Sequence, residues 1–265
     1  MSLSFEPQSG PTTLHALRHS VSHVMADAVL KLFPEAKVAI GPSIEHGFYY
    51  DFELPKALND DDLPLIEAEM RKIIAENHPF ECITLTRSEA AERIAATGQT
   101  YKEELLADIP EGEDITFYDH GSWSDLCEGP HVESTKQIRG DAFKLLSVAG
   151  AYWRGDSSKA MLQRIYGTAW WHKKDLKKYL QHLEEVQKRD HRKLGRELDL
   201  FSLHSDFGAG LVFWHAKLGH VRRKLEEWWW QLHQDHGYWP VYTPHVAGEP
   251  VFHQSGHLQN YSEMI

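Results

Sequence analysis

Apolar positions near the start of the chain recur with the period of a helix. Leu14, Leu17, Val21, Val24, Met25, Ala28 and Leu32 fall on one stripe at about 100° per residue, so a helix is expected over residues 13–32. It should stop ahead of Phe33-Pro34, because the residue before a proline is pushed out of the helical region. On this wheel His19 and His23 lie nearly opposite the stripe, facing solvent or a cleft and not the core. Residues 38–52 read as β structure, with a turn around Glu45-His46-Gly47 and Phe48, Tyr49 and Tyr50 on the return strand. Asn59-Asp60-Asp61-Asp62 supply N-cap candidates, and Pro64 sits in the first turn of an amphipathic helix running to about Glu76. A further helix is expected over 88–96. A strand over 115–118 leads towards a loop at Cys127, where Gly129-Pro130 rules out continued helix. Residues 143–170 are strand-rich, with breaks expected at Gly150, Gly155 and Gly167. The interleaving predicts an α+β fold: a layered antiparallel sheet with helices.

The pattern then shifts. Residues 173–196 carry nine Lys/Arg (173, 174, 177, 178, 188, 189, 192, 193, 196) against four acids (175, 184, 185, 190). A solvated helix has this look, but here the run separates two dissimilar regions and reads as a helical linker with a basic face. Leu218, Val221, Leu225, Trp228, Trp229 and Leu232 mark another amphipathic helix, followed by an extended segment over 237–244. The Trp228-Trp229-Trp230 run is better explained by packing than by a stacking site.

Composition narrows the class. A chain of 265 residues, 42% hydrophobic and 25% charged, is ordinary for a water-soluble globular protein. No stretch approaches the roughly 18 apolar residues of a membrane span, and the start of the chain lacks a basic-then-apolar signal pattern. Residues 1–12, polar with Pro and Gly, are expected to be a flexible tail. Two cysteines, Cys82 and Cys127, argue for a reducing, cytoplasmic setting over a disulfide framework. A net charge of −11 repels a polyanion on average, so nucleic-acid binding needs a local basic surface.

The chemistry-bearing words are His19-Ser-Val-Ser-His23 and Cys127-Glu-Gly-Pro-His131, about a hundred residues apart. Each brings two imidazole or thiol groups together at i, i+4 spacing. If the fold joins them, one pocket holds three imidazoles and a thiol, which either binds a metal or performs acid–base hydrolysis near neutral pH. Spacing alone leaves both open.

Seven segments carry a wider signal: RHSVSHVMADAV (18–29), AIGPSIEHGFYYDF (39–52), YKEELL (101–106), DLCEGPHV (125–132), AGAYWRGD (149–156), MLQRIYGTAW (161–170) and KRDHRKLGRELDLF (188–201). In order and content they resemble threonyl-tRNA synthetases over nearly the whole chain. The resemblance implies an editing domain at 13–171, a linker helix at 172–197, and from 198 to 265 the beginning of a class II catalytic domain, left incomplete, with VFWH (212–215) and a first dimer-forming motif around 237–244. It looks like the shorter forms that lack a preceding ubiquitin-like domain. The family's ATP-binding motifs, catalytic-domain zinc ligands and anticodon domain are expected beyond Ile265, so a fragment or truncated form is expected, retaining only editing.

The implied activity is hydrolysis of serine wrongly esterified to threonine tRNA. Carried over by motif, His19 and Lys102 position or activate the attacking water, while His23, Tyr50, Asp125, Cys127 and His131 line the pocket. No cofactor is expected for this step. Zinc on His19, His23, Cys127 and His131 stays open, because alanyl-type proofreading domains bind zinc through a comparable set. The full-length enzyme would use ATP, Mg and zinc, bind tRNA(Thr), and act as a cytoplasmic homodimer. Two rivals are a stand-alone zinc-dependent deacylase and a non-catalytic tRNA-binding module.

Overall fold

The structure, a computed structural model, describes residues 13–208 and 210–261. The expected tail at 1–12 lies outside the described residues. The chain divides into two compact units at Glu184/Glu185. Among the described residues no helix is long and apolar enough to cross a membrane.

The first unit opens with helix α1 (Leu14–Leu32), whose first turn is capped by the Thr13 hydroxyl accepting from the Ala16 N–H at 3.1 Å. Strands β1 (Lys37–Val38), β2 (Ser43–Ile44) and β3 (Gly47–Glu53) follow, then α2 (Leu63–Ala75), preceded by a short turn in which Asn59 and Asp62 form a capping box. Next come β4 (Glu81–Leu85), α3 (Arg87–Thr97), α4 (Thr100–Asp108), and the hairpin strands β5 (Ile115–His120) and β6 (Trp123–Leu126). The long strands β7 (Phe143–Tyr152) and β8 (Met161–Ala169) end the domain, and α5 (Lys173–Lys188) leads out of it.

Two antiparallel sheets result. One runs β1-β3-β8-β7 with β2 also on β3; the other runs β4-β5-β6. Helix α1 packs against α2, β2, β3 and β8, and its apolar stripe joins Phe48, Tyr50, Phe52, Ile66, Met70 and Ile165 in the main core. The α+β expectation is met.

Two details depart from expectation. Gly150 and Gly167 do not break strands: both lie inside the β7–β8 ladder. Gly167 serves close packing instead, because a Cβ there would stand 2.4 Å from Phe48 Cζ. Only Gly155 marks a break, within a short turn where Arg154 adopts φ 57°. The second departure is α1 itself. Ala16, Ser20, Ser22 and His23 are as withdrawn from solvent as the apolar stripe. The helix is covered on both sides, so the face that a wheel assigns to solvent or a cleft is largely interior.

The second unit contains α6 (His191–Glu197), the hairpin β9 (Phe201–Leu203) and β10 (Val212–Trp214), α7 (Ala216–Asp235), α8 (Glu249–Gln254) and α9 (His257–Asn260). His215 bridges Asp199 Oδ1 at 2.7 Å and Ser202 Oγ at 2.9 Å, pinning the hairpin to the start of α7. Residues 237–244 form neither strand nor helix.

Candidate functional site

A cleft of about 540 Å³ opens in the first unit between α1, the β1–β2 connection, α4 and the loop after β6. Helix spacing puts His15, His19 and His23 along its wall, one turn apart. The β5–β6 hairpin delivers Asp125 and then Cys127, and α4 delivers Lys102. The two histidine-bearing words therefore meet. Ligand atoms of His19, His23, Cys127 and His131 all lie within 4.8 Å of one another.

Cys127 is the hub. Its Sγ stands 3.3 Å from Nε2 of His19 and 3.3 Å from Nε2 of His131, and accepts from the Gly129 N–H at 3.2 Å. The three imidazoles pack closely, with centroids 5.0 Å apart for His19–His23, which meet edge to face, and 4.3 Å for the tilted pairs His19–His131 and His23–His131. Phe80 stacks on the far side of His131 at 5.0 Å. Tyr50 and His131 do not form the cleft wall; they stand one layer behind it, against Asp125 and Cys127 respectively.

Asp125 organises the opposite side. Its Oδ1 lies 2.5 Å from Lys102 Nζ, its Oδ2 accepts from Tyr50 Oη at 2.6 Å, and His23 Nε2 is 3.6 Å away. All four of these side chains are buried.

Electrostatics follow from this burial. Desolvation pushes His19 down to about 4, partly opposed by Asp125, and pushes His131 down to about 2, helped by His19. His23 is lowered in the same way, with His131 and His19 adding to the effect. Burial lifts the Cys127 thiol to about 12 against the Gly129 N–H, and burial with the Asp125 charge lifts Tyr50. Near neutral pH the cluster is three uncharged imidazoles and an un-ionised thiol. It is equipped to take up a proton, and not for attack by a thiolate.

The same set fits a metal. A tetrahedral zinc at ligand distances of about 2.0–2.3 Å spaces its donor atoms by roughly 3.3–3.8 Å. The Cys127 contacts lie at that spacing, and neutral imidazoles are the ligand form.

Residues 115–166 match the family model described as the threonyl and alanyl tRNA synthetase second additional domain. Beyond that segment, the chain is 49% identical over 258 residues to the threonine–tRNA ligase of Magnetococcus marinus, covering 97% of this chain and 40% of that protein. It is 50% identical over 252 residues to that of Acidithiobacillus ferrooxidans (95% and 39%) and 51% identical over 261 residues to that of Clostridium botulinum (98% and 40%). Over nearly its whole length the chain is similar to part of the threonine–tRNA ligases. It spans about 40% of the length of these ligases.

Three residues around the site are not among those singled out from the sequence. His15 extends the HxxxH word to a third turn and lines the cleft, a repeat visible in the sequence. Ser20 and His120 carried no signal. Ser20 reads as a spacer between the two histidines, yet its Oγ lies 3.0 Å from Nδ1 of His131. His120 is buried behind the cluster, its ring tilted against Phe80 with centroids 4.9 Å apart and its Nε2 3.6 Å from Asp27.

Proposed function

We propose that the cleft hydrolyses the ester linking serine to threonine tRNA. The observation that carries this reading is the convergence of un-ionised His19 with the buried Lys102–Asp125 pair on one cleft, in a relative of the threonine–tRNA ligases. Serine is threonine without one methyl, a difference worth only about 1–3 kcal/mol to a binding pocket, so an enzyme charging threonine needs a second, hydrolytic site.

In this reading His19 takes the proton of a water attacking the ester carbonyl and returns it to the departing tRNA oxygen. Lys102, held by Asp125, donates to the carbonyl oxygen as it gains charge. Tyr50 fixes Asp125 from behind, and His131 fixes Cys127. His23 and Cys127 complete the wall that excludes the threonine methyl. The ester is already activated, and base and donor are both supplied by side chains, so no resident metal is required.

A second reading, a zinc-dependent deacylase, has the four-donor set in its favour. Zinc on His19, His23, Cys127 and His131 would supply a Lewis acid and a water of lowered pKa. For a longer protein containing this chain, we propose threonine–tRNA ligation with ATP, Mg and a catalytic-domain zinc by a cytoplasmic homodimer. Residues 13–171 would edit, 172–197 would link, and residues from 198 onward would begin the class II catalytic domain.

The test is hydrolysis of seryl- and threonyl-charged threonine tRNA by this chain, with and without a chelator. Chelator-resistant loss of serine alone is expected. Loss of activity on chelation that zinc alone restores would install the second reading. Hydrolysis unchanged in His19→Ala would rule out His19 as the group that moves the water's proton.

A further inference from the structure

A hydroxyl has one hydrogen to give and two lone pairs to fill. Ser20, fully buried on α1, uses all three. Its Oγ lies 2.8 Å from the carbonyl oxygen of Ala16, which can only accept, so the hydroxyl hydrogen goes there. Both lone pairs then face donors: the Val132 N–H at 3.0 Å and Nδ1 of His131 at 3.0 Å. His131 is therefore protonated on Nδ1. As an uncharged imidazole it is bare at Nε2, the nitrogen 3.3 Å from Cys127 Sγ.

Counting hydrogens extends the alignment to the cleft. An ordinary thiol keeps its hydrogen near neutral pH, and the bare Nε2 of His131, 3.3 Å from Cys127 Sγ, receives it. The sulfur already accepts from Gly129, and its remaining polar neighbour is Nε2 of His19 at 3.3 Å, which must donate. Nδ1 of His19 has no hydrogen-bond partner among the described residues, whereas Nε2 faces the sulfur.

We infer that Ser20 is a positioning residue whose hydroxyl sets the tautomers of His131 and, through Cys127, of His19, leaving Nδ1 as the bare nitrogen of His19. The His131 tautomer stands on geometry and that of His19 also on Cys127 being a thiol; their consequence for turnover rests on the proposed editing activity. Without the Ser20 acceptor, His131 is free to move its proton to Nε2. The Cys127 hydrogen then turns away, and His19 loses the sulfur lone pair that fixes its own proton. Outer hydrogen-bond partners of this kind are worth roughly 10–100-fold in activity or metal affinity.

The experiment is long-range 1H–15N spectroscopy of the histidine-labelled chain at neutral pH under chelation, which reports ring tautomers directly. The wild-type chain should show His131 with its proton on Nδ1 and His19 with its proton on Nε2. In Ser20→Ala the fixed His131 tautomer should be lost, zinc should bind about tenfold or more weakly, and seryl-tRNA turnover should fall by a similar factor with KM little changed. Ser20→Thr, which keeps the hydroxyl, should retain the wild-type tautomers. An Nε2–H form of His131 in the wild-type chain overturns the inference, even if Ser20→Ala does not fold. An unchanged His131 tautomer in folded Ser20→Ala overturns it equally. The expected tautomers in a chain that hydrolyses no seryl-tRNA would keep the proton alignment and sink the editing reading instead.

Discussion

Nζ of Lys102 lies 2.5 Å from Oδ1 of Asp125, and both side chains are almost wholly withdrawn from solvent. Such a pair holds together because each charge compensates the other where water cannot. Breaking it from one side should therefore be worse than removing it. Asp125→Asn, which strands the ammonium and weakens the acceptor for Tyr50, should destabilise the chain by about 3–5 kcal/mol. The double change Lys102→Met with Asp125→Leu should recover much of that loss while abolishing seryl-tRNA hydrolysis. Urea unfolding of the wild-type chain and both variants checks this, and a double variant no more stable than Asp125→Asn would show that the pair is not the source of the loss.

The depressed histidines set a pH window. His19 at about 4 and His131 at about 2 stay neutral in the folded chain, whereas in the unfolded chain both return to about 6.5. Above 6.5 neither state takes up these protons and the full stability is present. As pH falls from 6.5 towards 4 the unfolded state binds protons that the folded state refuses, so stability drops. The urea midpoint should decline over that window, and less steeply in a His19→Gln, His131→Gln chain. Equal slopes in the two chains would contradict the assignment. The acid limb of seryl-tRNA hydrolysis should likewise lie nearer 4 than 6.5, since His19 keeps its basic form down to about 4.

Much of this architecture is legible in the sequence, and the exceptions share a cause. The period of α1 and its stop before Phe33-Pro34 are local features, and the helix ends where they say. What a wheel cannot show is a second layer. His23 lies off the apolar stripe and so reads as facing solvent or a cleft, yet the β5–β6 hairpin and its loop bring partners to that face, and it is buried. Spacing raises the question whether His19 and His23 meet Cys127 and His131, but only the fold answers it. Lys102 is reachable through the family resemblance alone. Strand β6 hides because its inward positions include a charged residue, Asp125, paired with partners from α4 and β3.

Gly41 makes a sharper test of how tightly the site is backed. A Cβ there would fall 2.0 Å from Cδ2 of Tyr50, and the Gly41 backbone is tied by its carbonyl to Ser22 Oγ at 2.6 Å. Neither side can yield freely. Gly41→Ala should destabilise the chain by about 1–3 kcal/mol, the usual range for overpacking. It should also slow seryl-tRNA hydrolysis by displacing Tyr50 from Asp125. A variant of wild-type stability and rate would mean that the Tyr50 ring is free to move aside.

The basic helix offers the test of tRNA contact. Lys177 and Lys178 lie on α5, in a chain whose net charge of −11 otherwise repels a polyanion. If they meet phosphates, each contact releases counterions, and affinity falls with salt by about 0.7–0.9 log units per contact for each log unit of salt. Lys177→Glu with Lys178→Glu should weaken tRNA binding and flatten the salt dependence by about one to two contacts' worth. Turnover at saturating seryl-tRNA should hold, because neither residue belongs to the cleft. Weaker binding with an unchanged salt slope would mean that the lysines support the helix and not the phosphates. A lower turnover at saturation would mean that the helix takes part in presenting the ester to the cleft, and not in tRNA capture alone.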